Sequence, residues 1–242
     1  MVTQNTFSVV FYFIVFCFGV FISGCATIGS TNNQFIEAES YNVTNEKYFD
    51  KDPSLVWDKL VRELSKSFYM INNIDKESRI INVSYNSNNV CNYVDCGSVH
   101  VDVKKGSVNK FGQDSYDFKI CESNSYISES SAPNQSGIKS PIVCSNRRKP
   151  NLEGRMNIYL APEGNGTLVT VNSRFILDIK LKSDCEFYAP AGNLVNRHQY
   201  EKAYECSFDS RKPSLCDPDT GSPSFMCYST GNLESEVLGL IH

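Results

Sequence analysis

Cysteine is the residue type with the widest chemical reach in this 242-residue chain, which contains ten of them. Eight fall after residue 90: Cys91, Cys96, Cys121, Cys144, Cys185, Cys206, Cys216 and Cys227. Such a set can cross-link the chain, hold a metal or run thiol redox chemistry. The spacings Cys91-x4-Cys96 and Cys216-x10-Cys227 lack the tight separation of structural zinc pairs, and His100, His198 and His242 stand far off in sequence. There is no Cys-x-x-Cys for dithiol redox work. The spacing therefore predicts no metal centre and no cofactor.

Other letters with catalytic potential are sparse. Asp219-Thr220-Gly221-Ser222 resembles the tetrad of aspartic proteases, but Cys216-Asp217-Pro218 precedes it where that family has an apolar strand, and no second copy exists to share the proton. Asp217 and Asp219 also begin like a calcium loop that lacks its later acidic ligands. His100, next to Asp102 on the polar side of a strand pattern, is the best base in the chain; no Gly-x-Ser-x-Gly elbow accompanies it. Arg147-Arg148-Lys149 is a short basic run expected in solvent, where anionic headgroups or an acidic partner would meet it. With 23 basic against 27 acidic side chains, nothing marks a nucleic-acid binder. No catalytic set is expected.

The N-terminus carries the most specific signal. Phe7 to Ile22 is a nearly unbroken apolar run, short for a bilayer span and close to the hydrophobic region of a secretory signal. It ends at Ile22-Ser23-Gly24-Cys25, which resembles the lipobox of bacterial lipoproteins: an aliphatic residue, two small ones, then the cysteine that receives lipid. That resemblance implies a signal peptide over residues 1–24, acyl chains including palmitate on Cys25, and, with Ala26 following, the periplasmic face of the Gram-negative outer membrane. An uncleaved N-terminal anchor is the rival reading, and it also holds the chain at a membrane. In an oxidising compartment the eight later cysteines default to four disulfides, among 105 possible pairings.

These groups need a scaffold. Residues 25–34 read as a lipidated tether and 35–242 as one periplasmic domain. A loosely patterned strand is expected near Ile36 to Val43. Asp52 as N-cap and Pro53 at the first helical position open an amphipathic helix whose apolar face is Trp57, Leu60, Val61, Leu64, Phe68 and Ile71. Period-two segments follow at Ile81 to Tyr85, Val99 to Val103, Tyr116 to Ile120, Met156 to Leu160 and Val169 to Leu181, with Pro162 to Gly166 supplying a hairpin turn. They predict an antiparallel sheet with one covered and one wet face. Segments 122–151 and 184–229, rich in polar residues, proline and cysteine, are expected as long stapled loops, the second with a strand near Tyr200 to Phe208. Asn232 caps a short closing helix.

Val56-Trp57-Asp58-Lys59-Leu60 followed by Phe68 to Ile81 resembles the helix-then-hairpin opening of helix-grip domains in the lipoprotein C subunit of the β-barrel assembly machinery. The resemblance implies an α+β domain, a curved antiparallel sheet packed on an N-terminal amphipathic helix and a short C-terminal one. The expected function is binding or assembly in the envelope with a protein partner. Alternatives are a binder of a small apolar ligand in the helix–sheet groove and, further off, a hydrolase.

Overall fold

In the computed structural model, which describes residues 29–104, 115–133, 137–217 and 224–241, antiparallel strands dominate. The strands are β1 (Ser30–Ile36), β2 (Glu46–Phe49), β3 (Met70–Asp75), β4 (Ile80–Ser87), β5 (Val94–Asp95), β6 (Ser98–Lys104), β7 (Ser115–Lys119), β8 (Asn124–Pro133), β9 (Lys139–Glu163), β10 (Gly166–Tyr188), β11 (Leu194–Asp209), β12 (Ser214–Cys216) and β13 (Phe225–Ser229). Among the described residues there are two α-helices, α1 (Pro53–Lys66) and α2 (Asn232–Gly239), and one 3-10 turn at Val90–Asn92.

The frame is the β9–β10 hairpin. Its strands have 25 and 23 residues and pair without a break from Glu163↔Gly166 to Ile142↔Phe187. Strands of 3–10 residues are usual, and this ladder would extend roughly 70 Å if straight. Gly164-Asn165 closes it, with Gly164 at φ 56°. Each edge is used twice. On the β9 side, β4 pairs with Leu152 to Tyr159 and β8 with Lys139 to Arg148. On the β10 side, β2 pairs with Thr167 to Thr170 and β11 with Arg174 to Tyr188. Pro150, which has no N–H to give a ladder, falls at the break between β8 and β4.

Alternation decides which side is covered. In the turn-proximal half, Met156, Ile158, Leu160, Val169, Val171, Phe175, Leu177 and Ile179 are buried, while Arg155, Asn157, Tyr159, Asn172 and Arg174 face outward. Helix α1 closes the apolar side with Val56, Trp57, Leu60 and Leu64. Asp52 caps it by accepting from Ser54 N at 2.8 Å, and Pro53 occupies its first turn, as the sequence predicts. The helix stops at Ser67, whose hydroxyl donates to Leu64 O at 2.7 Å. Phe68, expected on the buried face, is therefore beyond the helix and 97% exposed. Helix α2 adds Leu233, Val237 and Leu238; Gly154 allows its approach, since a Cβ there would lie 2.9 Å from Leu233 Cδ2.

The α+β helix-grip expectation is overturned: the chain is mostly β, and its helices, 14 and 8 residues long, cover part of a much longer sheet. The cause lies in segments 122–151 and 184–229, which supply β8, the first half of β9, the end of β10, β11, and the strands β12 and β13 that join β5 in a small sheet. In 122–151 polar residues on the inner face, such as Asn146 and Arg148, hide the period, whereas in 184–229 the buried Cys206, Phe208, Phe225 and Cys227 join the main apolar core. Asn146 donates to Ser128 Oγ at 2.9 Å and accepts from Ser183 Oγ at 2.7 Å. Strand β1 likewise starts at Ser30, inside the stretch expected as tether, and pairs with β6 in a second sheet, β1-β6-β7. Helix α2 is capped by Gly231 at φ 80°, while Asn232 donates from its side chain to Asn92 O at 2.6 Å.

Gly97 joins β5 to β6 at φ +80°, and a Cβ there would overlap Ile36 O and Ala38 N. Its N–H donates to Asp95 Oδ1 at 2.9 Å and its carbonyl accepts from Ile120 N at 2.9 Å. Gly97→Ala is expected to cost about 1–3 kcal/mol through strain and the displaced β1. Thermal unfolding under non-reducing conditions would show this as a lowered midpoint.

Candidate functional site

All eight later cysteines are paired: Cys91–Cys121, Cys96–Cys227, Cys144–Cys185 and Cys206–Cys216. Cys25 lies outside the described residues, as do Asp219 to Ser222. Two of the bridges pack together, and the sulfurs of Cys206, Cys216 and Cys227 all lie within 4.8 Å of one another, a metal-like grouping. The group does not fit a metal in this form, because a bonded sulfur is not the thiolate a metal takes. These bridges tie β11, β12, β13 and the β5 end into the core, and Cys144–Cys185 joins directly opposed residues of the long hairpin.

His100 is placed on β6 between two carboxylates. Its Nδ1 lies 2.7 Å from Asp117 Oδ1 on β7, and its Nε2 lies 3.3 Å from Asp102 Oδ1. Asp117 first, then Asp102, raises its pKa above the ordinary 6.5, which favours the doubly protonated ring, with both nitrogens as donors. A ring in that state has no free lone pair for general-base work. Through Asp117 the ring joins the neighbouring strands β6 and β7.

The basic run Arg147-Arg148-Lys149 divides between faces. Arg147 and Lys149 point outward, as expected, but Arg148 is 8% exposed, a correction to the expected solvated run. Its Nη2 donates to Ile120 O at 2.9 Å and its guanidinium lies 5.1 Å from the Phe118 ring centroid. Tyr126 and Tyr204 complete the surroundings, and burial lowers its pKa. Even a lowered guanidinium stays charged, so Arg148 is a buried cation held by the Ile120 carbonyl and the Phe118 ring face. It locks the β1-β6-β7 sheet onto the distal hairpin. On the outer face, Arg147, Lys149, Lys180 and Lys182 form a block in which Lys149 opposes Lys180 and Arg147 opposes Lys182. Asp184, Asp178 and Glu201 offset three of them at 3.5, 3.7 and 2.9 Å. A concavity of about 570 Å³ lies over this block.

Sequence reasoning missed a cluster at the other end. Tyr69 and Tyr93 donate to Glu236 at 3.2 and 3.3 Å, and the Tyr85 and Tyr93 hydroxyls meet at 3.0 Å. Burial first, then neighbouring hydroxyl and carboxylate groups, raises the Tyr69 and Tyr93 pKa values, so they remain neutral donors. The residues that build the cluster, tyrosines at 69, 85 and 93, have no period of their own to signal it. Glu234, in the first turn of α2, is fully buried, and both its carboxylate oxygens lack a hydrogen-bond partner among the described residues.

No helix among the described residues is long and apolar enough to cross a membrane. No family model matches the chain, and neither the curated proteins nor the solved structures include one similar to it.

Two measurements test these assignments. Asp117→Asn is expected to return the His100 titration, followed by NMR, toward its ordinary value; an unmoved titration refutes the clamp. Because the folded pKa is raised, the stabilisation from this clamp is complete below the unfolded value of about 6.5 and is lost as pH rises through the folded one. Glu234→Met, which replaces an unpaired buried carboxyl by an apolar chain of similar length, is expected to leave the unfolding midpoint unchanged or raise it. A fall of several degrees would show that the carboxyl is bound by something.

Proposed function

We propose that this protein is a lipid-anchored component of the bacterial cell envelope, at the periplasmic face of the outer membrane, that works by binding or assembly with an envelope partner. The observation that carries the reading is Ile22-Ser23-Gly24-Cys25, with its apolar run before it and Ala26 after it. Four disulfides fit the oxidising compartment that such a signal leads to. Strand β1 starts at Ser30, and five residues of chain from Cys25 span at most about 18 Å. Acylation at Cys25 would therefore hold the β domain close to the bilayer, and two or more chains suffice for stable attachment. Confinement to the membrane raises the effective concentration of the domain toward any partner in the same leaflet.

The space between α1 and the sheet, the alternative site for an apolar ligand, is filled by Val56, Trp57, Leu60 and Leu64, so that reading has no observation in its favour. A palmitate analogue fed to cells is expected to label the full chain. Cys25→Ala is expected to abolish the label and release the protein from the membrane fraction. An unlabelled wild type, with Cys25→Ala behaving identically, would sink the proposal.

A further inference from the structure

Strand β11 is an edge strand, and ten consecutive residues of it, Leu194 to Ala203, are exposed. Among the described residues none pairs with its outer edge there. A row of open N–H and C=O groups this long invites another strand, and proteins normally blunt such edges with charge. Here the charges are Arg197, Glu201 and Lys202, and the order of the first two is self-complementary.

Antiparallel pairing of two copies about a two-fold axis must join residues of the same backbone orientation, which allows only even register sums. With the axis at Gln199, Arg197 of each copy faces Glu201 of the other, His198 faces Tyr200, and Asn196 faces Lys202. Moving the axis to His198 sets Val195 against Glu201, and moving it to Tyr200 sets His198 against Lys202. Neither shift opposes unlike charges. Within one chain, Arg197 already pairs with Glu186 at 2.7 Å and Glu201 with Lys182 at 2.9 Å, each across the β10–β11 ladder. The Gln199 axis extends these pairs into one row across four strands: Glu186, Arg197, the second copy's Glu201, then its Lys182. The signs alternate at every step, and cross-strand pairs of opposite charge are favourable where like pairs are not.

We propose that β11 is a homodimerisation edge, in which two copies of this chain pair antiparallel about Gln199 and join their hairpins into one continuous sheet. Edge pairing alone buries less than a standard interface, so the dimer is of modest affinity. The proposal does not depend on the anchor: it requires only the folded edge.

Sedimentation of the full chain in detergent at about 0.1 mM tests it, a concentration suited to modest affinity. The wild type is expected to dimerise. Arg197→Glu sets Glu against Glu201, and Glu201→Arg sets Arg against Arg197, so each alone is expected to weaken dimerisation about tenfold or more. An equimolar mixture of the two variants restores both opposite-charge pairs and is expected to form a heterodimer. That recovery also shows that both variants are folded. A monomeric wild type, single variants that dimerise like it, or a mixture that stays monomeric would each overturn the proposal.

Discussion

The unbroken register of the β9–β10 hairpin is the constraint on which the other elements depend. Once Glu163 opposes Gly166, every later pair is fixed, including Cys144 opposite Cys185 at the far end. A one-residue slip would turn Phe175, Leu177 and Ile179 into water and separate the two cysteines. The covalent bridge and the apolar face therefore specify the same alignment from opposite ends. Strands β4, β8, β2 and β11 then have only one place each to pair, and the helices cover the half whose inner face is apolar.

The two halves of this ladder are held by different physics. Near the turn, burial of Met156, Ile158, Leu160 and their neighbours against α1 and α2 supplies the usual hydrophobic drive. Away from the turn the inner face carries Asn146 and Arg148, and cohesion comes from hydrogen bonds, an arginine over a phenylalanine ring, and the Cys144–Cys185 bridge. Such a surface does not need many apolar residues, provided its polar groups are satisfied. The same reasoning recasts the groups that looked chemical. His100 between two aspartates and Tyr93 beside Glu236 join neighbouring elements, and the paired sulfurs close the sheets onto the core.

Much of the fold's local grammar was legible in the residues. Asp52 and Pro53 marked the first helix, the alternation around Ile81 and Ile158 marked strands, and Pro162 to Gly166 marked the hairpin. Each signal is local: a cap, a period of two, a turn. Strand β8 and the first half of β9 were unreadable by the same means because polar residues on both faces erase the period. The pairing of cysteines was beyond reach for a related reason, since Cys96 and Cys227 are 131 residues apart and meet only after β5 and β13 pair.

By itself the sequence determined the apolar run from Phe7 to Ile22, the even cysteine count, and the first helix with its cap, because these reside in adjacent residues or in counts. Tertiary structure alone decided that β8 and the first half of β9 are sheet, that Arg148 turns inward while Arg147 and Lys149 do not, and that β11 is left as an open edge. Those outcomes depend on which strand lies beside which. Neighbourhood across a sheet is set by long-range register, and no short window of sequence contains it.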